Sequence, residues 1–257
     1  MRRRPDVHLA RLGLVLLLAG LVASAALAQR RGGRGGRGGF TTTVNNLPYD
    51  GRFAFVRLRY IEYGAAGWAF DYPQMERNFM TILQDLTTIG PHVQGSNVFT
   101  MDDPELFQHP VAYLSEPGYW LPGDAEAAGL RDWLLKGGFL IVDDFFFNQW
   151  TNFERSMQLV LPEGRIQPLT VDHAIFDTFF QIRSLEGMHH PSTPQAQARY
   201  LGIYEDNDPT RRLLVIINYN NDIGDYMEWS GEGWYPVNMS NDAYKFATNY
   251  IIYGLSR

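Results

Sequence analysis

The sequence predicts an α/β fold, a three-layer sandwich around a mainly parallel central sheet. Two stretches, Phe139 to Val142 (FLIV) and Leu213 to Asn218 (LLVIIN), are near-continuous apolar runs, as expected of strands covered on both faces. Segments with helical spacing of apolar residues separate the strand-like runs. A Gly-Gly pair at 137–138 joins one such helix directly to the FLIV strand, the position where a helix C-terminus favours glycine.

Arg52 to Tyr60 (RFAFVRLRY) is rich in aromatic and β-branched residues and reads as the first strand. A loop from Glu62 to Pro73 follows. Gln74 to Ile89 sets Met75, Phe79, Ile82, Leu83 and Leu86 on one helical face. Val111 to Leu114 is a second strand, bounded by His109-Pro110 and Pro117-Gly118. Gly123 to Lys136 is a helix with Leu130, Trp133 and Leu134 inward, and Asn152 to Val160 is another. Ala243 to Leu255 closes the chain as a helix with Ala247, Tyr250, Ile251 and Leu255 inward.

Three segments precede or make up this pattern: 1–28, 29–51 and 52–257. The first has Arg2, Arg3 and Arg4, then an apolar run from Leu12 to Ala25, then Ala26-Leu27-Ala28. That order reads as a Sec signal peptide cleaved before Gln29, because the run is shorter than a spanning helix needs and a small-x-small site follows. The expected location is therefore periplasmic or extracellular. Residues 30–39 (RRGGRGGRGG) form a low-complexity cationic tether, too glycine-rich to bury surface. Such a tether is suited to touching anionic membrane or cell wall.

The formal charge of -6 conceals an asymmetry. Of the 22 basic residues, four lie in 1–28 and four in 30–37; of the 28 acidic residues, only Asp6 precedes residue 40. The part from Phe40 onward therefore carries 14 basic and 27 acidic residues, a net of -13. Phosphate backbones would be repelled, which excludes nucleic acid as a partner. The chain has no cysteine, so disulfides, thiolate metal sites and cysteine nucleophiles are excluded as well.

Several motifs together resemble a known family. They are LRY (58–60) with its loop ending in Trp68, GGFLIVDD (137–144), DHAIF (172–176), NDIGDYMEW (221–229) and NYIIYGL (249–255). In order and spacing the chain resembles the uncharacterised DUF4159 family. The resemblance implies a class I glutamine amidotransferase-like fold and no particular activity. Amidotransferase chemistry itself needs a cysteine on a strand-to-helix elbow, and this chain has neither cysteine nor a Gly-x-Ser-x-Gly replacement.

In open α/β sheets, ligands bind beyond the carboxyl ends of the strands. Asp143 and Asp144 close the FLIV strand, where strand alternation turns them to opposite sides. They are candidate catalytic residues, either as metal ligands or as an acid/base pair. His173, beside the expected helix-capping Asp172, is a third candidate. The candidate metal donors are Asp144, His173, His189 and His190, which would hold a divalent ion, although neighbouring histidines on extended chain tend to diverge. Trp68, Asp225, Glu228 and Trp229 are candidate ligand-binding residues, and Asp222 belongs to the same Asn/Asp-rich stretch. Loop aromatics (Tyr119-Trp120, Trp229, Trp234-Tyr235) could stack on sugars or a partner protein.

Three functions are compatible with these residues. One is a non-catalytic binding or scaffold module of the cell envelope, with a protein or glycan partner. The second is a metal-assisted hydrolase using Asp143 or Asp144 with His173 and the His189-His190 pair. The third is an envelope carbohydrate-binding domain. Convergence of the carboxylates and histidines would favour the second, and their scatter over separate faces would sink it; the third expects a contiguous exposed aromatic patch near the strand ends.

Overall fold

The computed structural model describes residues 44–61 and 67–256; the segments read as a signal peptide and an Arg/Gly tether lie outside the described residues. Seven strands form one sheet. They are β1 (Val56–Leu58), β2 (Asn97–Phe99), β3 (Val111–Ser115), β4 (Phe139–Phe145), β5 (Ile166–Pro168), β6 (Arg199–Tyr204) and β7 (Leu213–Tyr219). Their order is β2-β1-β3-β4-β7-β6-β5. The first five in that order run parallel, while β6 and β5 are antiparallel additions at one edge.

Helices cover both faces. On one side lie α1 (Gln74–Leu86), α4 (Ile223–Glu228) and α5 (Val237–Leu255). They pack Phe79, Leu83, Tyr226, Ala243 and Tyr250 against Val111, Phe139 and Ile141. On the other side α2 (Asp124–Leu135) and α3 (Gln149–Val160) pack Leu130, Trp133 and Phe153 against Ala112, Leu140 and Val142. Alternate residues of β4 thus enter alternate cores, and the whole strand is buried. An unbroken apolar run is the sequence form such a strand must take.

Helix α2 ends as the Gly-Gly pair requires. Gly137 has φ +123°, and the Gly138 amide donates to the Trp133 carbonyl at 2.9 Å. The Trp133 ring lies where a Cβ at 138 would be, so the turn has no room for a side chain there. Three strands escape the sequence reading: β2 and β5 are only three residues long, and β6 (RYLGIY) has no run of apolar residues to announce it. The domain also begins earlier than residue 52. Asn46 exchanges two hydrogen bonds with Val98, and the Leu47 amide donates to Asn97, so this segment covers the β2 edge. Among the described residues no helix is long and apolar enough to cross a membrane.

Strand β1 carries an arginine in the interior. The fully buried Arg57 pairs through Nε with Glu76 Oε1 of α1 at 2.6 Å. Its Nη1 donates to the carbonyls of Trp68 and Phe70 at 2.8 and 2.7 Å, and the guanidinium lies 5.1 Å from the Tyr113 ring. Arg57 therefore fixes the loop after β1. Removing one partner of a buried pair strands the other charge and costs roughly 3–5 kcal/mol. Arg57→Met is expected to lose stability of that order in urea denaturation. The double change Arg57→Met with Glu76→Leu should recover much of it, and absence of recovery would show that the carbonyl contacts dominate.

Candidate functional site

The parallel strands all present their carboxyl ends to one edge of the sheet. Between β1 and β3 the connections leave in opposite directions, toward β2 and β4, which makes a topological switch point. A cleft of about 290 Å³ opens there. Phe70 and Asp71 reach it from the loop after β1, Glu116 and Tyr119 from the loop after β3, and Asp144 and Phe146 from the end of β4. His190 and Ser192 come from the loop before β6, and Asp222 and Asp225 from the start of α4.

Asp143 and Asp144 part as strand alternation requires. Asp143 turns into the core beneath α4 and is fully buried. Its Oδ2 accepts from Tyr113 Oη at 2.8 Å and from the Gly224 amide at 3.1 Å, and its Oδ1 accepts from Asn218 Nδ2 at 3.0 Å. Burial and the adjacent Asp144 push its pKa up to about 6 despite these bonds. Asp144 faces the cleft. It has φ +63°, and the pairing of β4 with β7 shifts register between Val142 and Phe145. A bulge of this kind re-aims a side chain at a strand end, and a non-glycine residue in the left-handed region is strained unless its surroundings hold it there.

His190 does part of that holding. Its Nε2 lies 3.1 Å from Asp144 Oδ1 and 3.8 Å from Asp222 Oδ2, while its Nδ1 accepts the Ser192 amide at 3.0 Å. A ring nitrogen that accepts an amide proton carries none itself, so Nε2 bears the hydrogen and donates to Asp144. His190 is thus an orienting donor, and the carboxylates are the groups free to ligate. Ser115 Oγ donates to Asp144 Oδ2 at 3.2 Å.

Two sets of donors lie side by side. Asp144, His190 and Asp222 bring one nitrogen or carboxylate oxygen each within 4.8 Å of one another, and Asp71, Asp225 and Glu228 do so with three carboxylates. Asp222 caps α4 by accepting the Asp225 amide at 2.8 Å. Gly224 leaves the space in which the sets meet: a Cβ there would fall 2.8 Å from Tyr113 Oη, 3.1 Å from Asp71 Oδ2 and 3.4 Å from Asp222 Oδ1. Asp71, at φ +63°, holds an Oδ2 that is sealed from water, and its carboxyl lies within hydrogen-bonding reach of the Glu228 carboxyl. Burial first, then the charge of Asp144, raises both Asp71 and Asp222 well above the usual carboxylate range. Asp225 and Glu228 are raised too, chiefly by burial.

The other sequence candidates scatter. His173 does not enter the cleft. Its ring packs near Phe176, Tyr204 and Tyr253, and Tyr253 Oη meets the first residue of β7, at the amino end of the parallel strands. His173, in place of Asp172, caps the short helical turn at 174–177 by accepting the Ile175 amide. His189 diverges from His190, its carbonyl accepting from Tyr226 Oη. Trp68 is buried and contributes its carbonyl to Arg57. Trp229 donates from Nε1 to Asp225 Oδ1 at 3.2 Å, and Tyr235 Oη donates to Asp225 Oδ2 at 2.9 Å. Asp71 is the residue that sequence reasoning missed. The one signal for it is Arg57, an arginine inside a strand, which requires carboxylates nearby.

The chain belongs to the family described as "Domain of unknown function (DUF4159)", which matches residues 56–255. No curated protein matches it.

The raised carboxyl groups make stability pH-dependent. Asp143 binds its proton more tightly folded, at about 6, than at the ordinary value of 3.8. Its stabilising effect is complete below about pH 4 and is lost as pH rises toward 6, at most about 3 kcal/mol. Asp71, Asp222, Asp225 and Glu228 pull in the same direction. Exposed Asp50 and Asp208, lowered by hydrogen bonds to the Arg52 and Thr210 amides, act oppositely only below that window. In chelator, Tm should fall by several degrees between pH 4.5 and 7.5, and Asp143→Asn should flatten the slope. A Tm that rises across this range would contradict the assignment.

Proposed function

We propose that this is an exported envelope protein whose strand-end cleft binds a hard divalent cation, and that it acts as a metal-assisted hydrolase. The observation that supports this most strongly is the convergence of Asp71, Asp144, Asp222 and Asp225 on one cleft, with the Asp71 Oδ2 sealed from water among them. Carboxylates crowded in low dielectric repel one another, and a divalent ion offsets that repulsion. All-oxygen donors suit Mg²⁺, Mn²⁺ or Ca²⁺ better than Zn²⁺. His190, holding its proton on Nε2, keeps Asp144 aimed inward. Glu228, raised above its ordinary value chiefly by burial, stands beside Asp71 and Asp225 as a group that can exchange a proton with a bound ligand. The bound ion would polarise a ligand oxygen.

The finer fold assignment, class I glutamine amidotransferase-like, is part of this reading. It draws support from the parallel order of β2-β1-β3-β4-β7 with helices on both faces. Without cysteine, the chemistry of such a site passes to the carboxylates.

Calorimetric titration of the chelator-treated protein with Mn²⁺, Mg²⁺ and Ca²⁺ tests the proposal. A stoichiometric ion, with affinity reduced at least tenfold by Asp144→Asn and by Gly224→Ala, is the expected result. Absence of binding by any of the three ions in the folded wild type would overturn it.

A further inference from the structure

The lining of the cleft also restricts what the cation site can take as a ligand. Every charged side chain that lines it is acidic, and no lysine or arginine is among the lining residues. The nearest guanidinium, Arg57, is buried behind the loop and engaged with Glu76 and two carbonyls. One divalent ion among four or more carboxylates leaves the cleft without net positive charge. A phosphate or carboxylate ligand would therefore meet repulsion with no basic partner.

Aromatic rings occupy the rim instead. Phe70 and Tyr119 line the cleft and are 49% and 38% exposed. Tyr119 is presented from a rigid turn, because the adjacent Trp120 is fully buried and its carbonyl accepts from Asn152 Nδ2 and Ser156 Oγ, both at 2.8 Å. A second platform is tied to Asp225. Trp234, 63% exposed, stacks on Trp229 with centroids 4.6 Å apart and planes at 13°, and Trp229 Nε1 bonds Asp225. One face of Trp234 is covered by Trp229. Rigid rings that expose a face at low entropic cost are suited to stacking on flat, partly apolar ligands.

Neutral hydroxyl oxygens fill the shell of a hard cation, and pyranose rings have apolar faces that stack on aromatics. Resting on the cation reading above, we propose that the cleft binds a neutral glycan. Two of its hydroxyls complete the shell of the ion, and adjoining sugar rings lie on Tyr119, Phe70 and Trp234. The carboxylates would then select against charged saccharides of negative sign.

The full chain is titrated calorimetrically with cellotetraose and tetra-N-acetylchitotetraose, with glucose 6-phosphate as the anionic probe and chitosan tetramer as the cationic one, each in Ca²⁺, Mg²⁺ or chelator. Either neutral tetrasaccharide should bind in the presence of the ion and weaken at least tenfold in chelator. Tyr119→Ala and Trp234→Ala should each weaken it about tenfold while cation affinity changes less than twofold. If the ion binds but neither neutral sugar does, or glucose 6-phosphate binds more tightly, the glycan inference fails and the cation site stands. If no ion binds, the cation reading fails first. If the chitosan tetramer binds best in chelator, both fail and the cleft is a site for organic cations.

Discussion

The arrangement at the strand ends depends on the carboxylate of Asp143. It is fully buried, yet it accepts hydrogen bonds from β3 through Tyr113, from β7 through Asn218 and from the first turn of α4 through the Gly224 amide. Asn218 in turn accepts from Tyr250 of α5 at 2.9 Å. One side chain thus joins three adjacent strands to two helices. Buried polar groups of this kind are costly when unpaired and rigid when fully paired. Fixing α4 by its N-terminal turn places Asp222 and Asp225 on the side of Asp144, because the two aspartates are three positions apart, within one helical turn.

A second buried charge performs the equivalent task on the other side of the cleft. Arg57 holds the carbonyls of Trp68 and Phe70 and so sets the path of the chain into Asp71. Glu76 balances it in the interior. Burial works against the charge on Arg57, but Glu76, Tyr113 and Asp71 outweigh that cost and hold the guanidinium charged. The cleft is accordingly a set of largely buried acids braced from below by Asp143 and Arg57, ionisable groups of opposite sign. Several of these acids are raised toward neutrality by burial and by one another. Perturbed carboxylates gathered at a switch point mark a candidate functional site.

Aromatic side chains divide between two roles that the sequence does not distinguish. Trp120 and Tyr119 are adjacent, yet the first is an interior anchor and the second is offered to solvent. Trp68 and Trp229 differ in the same manner, one sealed beneath the loop and one bonded to Asp225 at its edge. Burial of Trp120 is what makes the adjacent Tyr119 a fixed surface.

The amino-acid sequence by itself determined the α/β class, the central strands β4 and β7, the helices α1, α2, α3 and α5, and the opposite facing of Asp143 and Asp144. These follow from local rules, the period of apolar residues and the alternation of a strand, which act over a few neighbouring positions. Only the tertiary structure decided which acids meet. Asp144, His190 and Asp222 are brought together by strand pairing and by hydrogen bonds between segments 32 to 78 residues apart in number, and His173, equally promising in the sequence, falls at the other end of the sheet. Short strands such as β2 and β5, and the lone Asp71, leave no periodic trace. Their positions come from long-range contacts, whose energy appears only when the whole sheet has closed.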